Sequence, residues 1–230
     1  MNQVVEKLIL DVDIERLFKV YHYMFRMMKD RGYKPLFLPF NKNRFISHVV
    51  QLMANNDSPH KFMDKLKLKF EKEEKEDDDD DDENVRCLVY FHCIDIKFKK
   101  MDMEYLLKLM EEVNCQKLLL ITNTKINSMI LNSIYPLKDD IQIFVEKELL
   151  HCIMDHAFMP TFSKLTEQEK NKMLEFYNCQ ENDFPQILED DPVVKYYNYK
   201  IGDMLRIQRY NGTEHPDLYY RVVVKKIQLK

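Results

Sequence analysis

The sequence predicts an α+β protein in two parts: an α/β layer over residues 1–147 and a smaller α+β unit over residues 148–230. Short apolar strand-like runs alternate with helical stripes as far as Val145. From Thr166 onward the pattern changes to helix caps followed by two alternating runs around an Asn-Gly turn. The 45 % hydrophobic content is enough for a packed core in each part.

Ile14, Leu17, Phe18, Tyr21, Phe25 and Met28 lie at helical spacing and predict the first helix. Arg31-Gly32 ends it, because glycine takes the left-handed exit at no steric cost. A second helix is expected around Asn43 to Asn55. Asp57 to Glu83 contains Pro59 and an acidic run and is expected to loop out. Arg86 to Cys93 is rich in β-branched and aromatic residues and predicts a strand. Met103 to Val113 predicts a helix, Lys117 to Thr122 a buried strand, Ser128 to Ile134 a helix and Ile141 to Val145 a further strand. Thr166, with Glu169 three residues on, forms a capping box for a helix reaching about Tyr177. Asp191-Pro192 is an N-cap and first-turn pair, and Asn198 suits a left-handed exit. Met204 to Tyr210 and Leu218 to Ile227 alternate like strands about Asn211-Gly212-Thr213.

Composition removes several classes. No apolar run approaches the roughly 20 residues of a spanning helix, so no membrane role is expected, and Met1 to Val4 lacks the basic start of a targeting peptide. The three glycines, Gly32, Gly202 and Gly212, form no phosphate-cradling loop, and neither a GxSxG elbow nor an HExxH site occurs. Cys87, Cys93, Cys115, Cys152 and Cys179 are scattered singly and read as reduced thiols, neither disulfides nor zinc ligands. Glu71 to Glu83 holds eleven acids and two lysines, a net of −9, so the overall −4 leaves the rest of the chain at +5. The run reads as a solvated loop.

Four groups carry residue types with chemistry. Asp95-Ile96-Lys97 matches the acid-x-lysine core of a restriction-type nuclease, where the acid holds a metal and the lysine supports attack by water. It lacks a clear upstream partner acid. His151 with Asp155 has metal-ligand residue types, but nothing completes four ligands. Cys152 with His156 has nucleophile and base types, without an oxyanion hole. The fourth group is the C-terminus, where Lys195 onward carries eight basic and three acidic residues interleaved with tyrosines. That mixture suits nucleic-acid backbone and stacking contacts, and equally a protein interface.

Asp191-Pro192-Val193-Val194-Lys195-Tyr196-Tyr197 resembles the DPVARY-aromatic motif of the fifth-largest subunit shared by eukaryotic nuclear RNA polymerases, a family with an archaeal counterpart. The frame continues through Gly202, Arg206-Ile207-Gln208-Arg209, Thr213 and Tyr220-Arg221-Val222. Upstream, Asp155-His156 to Pro160, Leu165 to Glu169, Glu146 to Leu150 and the exit Asp30-Arg31-Gly32-Tyr33 are similar to further segments of that family. Phe162 stands where the family has a histidine, Lys195 replaces its arginine, Asn198 its glycine, and Tyr210 to His215 keeps little of its loop.

The resemblance implies a non-catalytic polymerase subunit with no cofactor and no metal. It implies a jaw domain related in fold to restriction-type nucleases but without their active site. The loop Thr124-Lys125-Ile126-Asn127-Ser128 would approach downstream duplex DNA without reading sequence, with Thr124, Lys125, Asn127 and Ser128 as contacts. The C-terminal domain would dock on the largest polymerase subunit, near a small shared subunit and other subunits, and not form homo-oligomers. Lys195, Tyr196, Tyr197, Arg206, Arg209, Tyr220 and Arg221 would then serve as interface residues. His156, Pro160, Asp191, Pro192, Asn198 and Gly202 would shape the motif. The divergence suits a large DNA virus with its own polymerase, working in virion and cytoplasmic viral factory; a protist nucleus is the competing setting. A metal-dependent nuclease using Asp95 and Lys97, and a stand-alone DNA-binding module, are the alternative functions.

Overall fold

The computed structural model describes residues 14–54, 66–72, 85–92, 98–137, 139–210, 212 and 215–225. It is an α+β protein whose contacts divide it into two compact units, 1–151 and 152–230.

The first unit holds helix α1 (Ile14–Asp30), strand β1 (Tyr33–Pro35), α2 (Lys42–Ala54), β2 (Lys67–Lys72), β3 (Arg86–His92), α3 (Lys100–Glu112), β4 (Lys117–Thr122), α4 (Ser128–Ser133) and β5 (Ile141–Val145). The strands form one sheet in sequence order, β1-β2-β3-β4-β5. β1, β2 and β3 pair antiparallel, while β3, β4 and β5 pair parallel across the connections that carry α3 and α4. β3 and β4 are buried along nearly their whole length, as expected for central strands covered on both faces. One covering element is α1, whose Leu17, Val20, Tyr21, Met24, Met27 and Met28 are buried. Its Phe25 ring meets the Phe70 ring of β2, and Tyr21 stacks on Phe45 of α2 with centroids 4.9 Å apart. Gly32 has φ 81°, the left-handed exit expected of it.

The second unit holds β6 (Thr161–Lys164), α5 (Glu167–Tyr177), β7 (Gln186–Leu188), α6 (Pro192–Tyr197), β8 (Met204–Arg209) and β9 (Asp217–Val224). Its sheet runs β6-β8-β9-β7, antiparallel except for the parallel β7–β9 pair. Strand period two divides the core into two clusters. Leu205, Val223 and Ile187 pack with Val194 of α6, whereas Met204 and Val222 pack with Leu165 and with Met173 and Leu174 of α5. One helix therefore covers each face of the sheet.

The expected loop over 57–83 is corrected in part: Lys67–Lys72 is β2, with Leu68 and Phe70 buried and Lys67 and Lys69, which alternate with them, half-buried. The short strands β1, β6 and β7 carry no signal in the sequence reading. Asp95, Lys97, Cys93, residues 73–83 of the acidic run, and Asn211, Thr213 and Glu214 lie outside the described residues.

Candidate polymerase interface

In the second unit the sequence's local signals become a rigid frame. Asp191 accepts a hydrogen bond from the Val193 amide at 2.9 Å, and Pro192 occupies the first turn where no amide is needed. Asn198 closes α6 at φ 58°, ψ 38°. Gly202 follows at φ 94°, and an added Cβ there would meet nothing within 4 Å, so backbone conformation alone selects the glycine. Lys170 of α5 is 8 % exposed, donates to the Gly202 carbonyl at 3.1 Å and pairs with Glu181 at 2.8 Å. This buried cation ties α5 to the turn before β8, and nothing in the sequence marked it. Thr166 caps α5 by accepting from the Glu169 amide at 3.2 Å, and Glu169 accepts in return from the Thr166 amide at 3.0 Å.

The seven predicted interface residues do not form one patch. Lys195, Tyr196 and Tyr197 sit on α6, over the sheet face that carries Leu205 and Val223. Tyr196 is only 6 % exposed, and its hydroxyl lies 4.0 Å from Cys152 Sγ. Most of this ring is used inside the unit. Tyr197 meets the Tyr196 ring edge-on at 5.0 Å and stacks on Tyr199 at 5.3 Å. Arg206 and Tyr220 are directly opposite across β8 and β9, on the other face. Arg206 is engaged at 2.9 Å by Glu169, whose carboxyl titrates below its ordinary value because the Thr166 amide and then the Arg206 guanidinium bond it. Arg221 donates to the Gln186 carbonyl at 3.2 Å while remaining exposed, and Arg209 is exposed at the end of β8. At that same end of the sheet stand Tyr210, Leu218, Tyr219 and, just before β6, Phe158 at 82 % exposure. Phe158 and Leu218 were missed; Leu218 was open to discovery through the strand period.

His156 is exposed, and its Nδ1 accepts from the Phe158 amide at 3.3 Å. Ile153–Asp155 is a single 3-10 turn, so His151 and Asp155 do not share an α-helix. Pro160 is half-buried beside β6. Among the described residues no group of three or more His, Cys, Asp or Glu is arranged to hold a metal.

In the first unit, residues 123–127 leave the carboxyl end of β4. Thr122 Oγ1 donates to the Thr124 carbonyl at 2.9 Å, and Asn127 accepts from the Met129 amide at 3.1 Å to start α4. Thr124, Lys125, Asn127 and Ser128 are all exposed, while Ile126 between them is buried and anchors the loop.

Comparison with known proteins gives this geometry its family. Residues 152–223 match the family described as RNA polymerase Rpb5, C-terminal domain. Over 94 % of this chain and 99 % of the relative, the protein is 24 % identical to DNA-directed RNA polymerase subunit 5-like protein 1 of Arabidopsis thaliana. Over 32 % of this chain and 89 % of the relative, it is 40 % identical to DNA-directed RNA polymerase subunit Rpo5 of Pyrococcus horikoshii. DNA-directed RNA polymerase subunit 5 of Acanthamoeba polyphaga mimivirus is 34 % identical over 38 % of this chain and 43 % of the relative. The capped α6, the Gly202 turn and the β8–β9 pair all fall within the matched segment, and the chain belongs to the Rpb5 family of RNA polymerase subunits, as an accessory rather than a catalytic member.

Proposed function

We propose that the second unit docks this subunit on the largest polymerase subunit, beside a small shared subunit, and that the first unit acts as a jaw beside downstream DNA. The observation that carries the docking half is the rigid, doubly covered sheet of residues 152–223 with arginines and aromatic rings left exposed at its edge. Tyr and Arg are enriched among the residues that carry the binding energy of interfaces. Arg209, Arg221, Tyr197 and Lys195 contribute the grip, with Arg206 and Tyr220 on the opposite face; Asp191, Pro192, Asn198 and Gly202 hold the shape. In this reading the jaw, residues 1–147, has a nuclease-like fold without its chemistry.

The jaw half rests on the loop at 123–127. Thr124, Lys125, Asn127 and Ser128 present one cation and small polar groups without a base-reading fork, which suits phosphate contact. No homo-oligomer is part of this reading. A viral polymerase would place the protein in virion and cytoplasmic factory, and a cellular one in the nucleus.

Affinity capture of the tagged full chain from its native source tests the assignment. Recovery of both large polymerase subunits is expected; a capture lacking them would remove the docking reading. For the jaw, Lys125→Glu in the assembled polymerase should lower retention on duplex DNA as salt rises and leave subunit recovery intact. Unchanged retention would remove Lys125 from the contact. The nuclease and stand-alone DNA-binding readings are not favoured, because the relatives are named as polymerase subunits.

A further inference from the structure

The first unit contains a cleft of about 330 Å³ where α3 ends and β5 begins, lined by none of the residues of the 123–127 loop. Leu107 and Met110 of α3 and Leu137 and Ile141 before and in β5 supply its apolar walls, with Glu111 and Asp140 among its lining residues and exposed. Among the described residues neither carboxylate has an ion-pair partner. Two cations of the adjoining strands have other partners: Arg86 pairs with Glu71 at 3.0 Å, and Lys117 has a partner of its own.

The placement of Glu111 is unfavourable for the helix that carries it. Glu111 and Glu112 end α3, and its last turn has no basic residue. The helix dipole is negative at that end and repels a carboxylate. The chain leaves through Asn114 in the left-handed conformation, where the Asn114 and Cys115 amides bond the Glu111 and Met110 carbonyls, so the two carboxylates carry the negative charge here. An apolar slot with negative charge at its mouth fits a long aliphatic stem ending in a cation.

We infer that this cleft binds a lysine or arginine side chain presented by a partner polypeptide, with the stem between Met110 and Ile141 and the charge at Glu111 and Asp140. The volume lies at the bottom of the roughly 300–1,000 Å³ range of small-molecule sites, and the apolar walls with two exposed carboxylates select a side chain that combines a stem with a cation. Snorkelling of a buried stem with its charged head in water is the normal habit of Lys and Arg. The cleft would bind such a side chain whether or not the docking and jaw assignments hold.

The test uses the full chain labelled with methyl-13C methionine. Met110 lines the cleft, while Met101 and Met129, at 76 % and 77 % exposure, report on non-specific contact. Buried Met27 and Met204 report that each unit is folded. The probe is acetyl-Gly-Lys-Gly-amide, compared with its norleucine counterpart and with 1,5-diaminopentane. A saturable shift of Met110 alone is expected with the lysine peptide. It should weaken roughly tenfold in the Glu111→Gln, Asp140→Asn double variant, whose Met27 and Met204 signals should not move. The norleucine peptide should give no shift at the same concentration, and the diamine a weaker one than the lysine peptide. An unmoved Met110, equal affinity in the double variant, or an equal response to norleucine would overturn the inference. Tighter binding of the diamine would also overturn it and assign the cleft to a free cation.

Discussion

The Glu146 side chain is 3 % exposed and accepts from Arg16 Nε at 2.7 Å and Nη2 at 3.2 Å, while the Arg16 side chain keeps 43 % of its exposure. The two partners are therefore unequal. Losing Arg16 removes a bidentate partner from a buried carboxylate, whereas losing Glu146 leaves a guanidinium that water already reaches. Arg16→Met is expected to cost on the order of 3 kcal/mol in urea unfolding, clearly more than Glu146→Gln. Equal costs would mean that the burial of Glu146 carries no penalty. Glu169 sets a pH dependence. Its folded carboxyl titrates below the ordinary 4.5, so its stabilisation is complete above that value and lost as pH falls through the lower folded one. Glu169→Gln should reduce the stability lost between neutral pH and about pH 3, by less than about 1 kcal/mol because the pair is solvent-screened. An unchanged pH profile of the unfolding midpoint would exclude the contribution. The capping box at Thr166 was readable because it is a local pattern. The burial of Glu146 and Lys170 was not, because each is created by residues remote in sequence: Arg16 for one, Gly202 and Glu181 for the other.

Among elements, α6 and β8 make a useful contrast. α6 is only six residues long, too short to persist without its ends, so Asp191→Ala should cost about 1 kcal/mol through the lost bond to the Val193 amide. Unchanged stability in denaturant would argue that packing of Val193 and Val194 alone holds the helix. β8 is held by burial instead. Leu205 has no exposed surface and sits in one core cluster, so Leu205→Ala should cost about 2–5 kcal/mol, while Leu218→Ala on the exposed end of β9 should stay within about 0.5 kcal/mol. The longer helices and the central strands were legible because each completes its period several times. β1, β6 and β7 were not, since three or four residues do not establish a period of two. β2 does alternate, but it runs directly into the acidic stretch whose composition reads as loop.

The described residues form two sheets, each with its own strand order and its own helices. The unit from Cys152 onward closes both faces of its sheet with α5 and α6, which predicts that a fragment of residues 152–230 folds alone with one cooperative unfolding transition. A fragment without a cooperative transition would show that its core needs the first unit. The sequence by itself determined the α+β class, the caps of α5 and α6, the left-handed exits at Gly32 and Asn198, and the resemblance carried by residues 191–222. These depend on contacts between near neighbours, so near neighbours suffice to read them. Only the tertiary structure decided that Tyr196 turns inward, that Arg206 and Arg221 part to opposite faces of one sheet, and that a cleft with two exposed carboxylates forms between the end of α3 and the start of β5. Those outcomes follow from strand pairing and burial between distant segments, which residue order along the chain does not express.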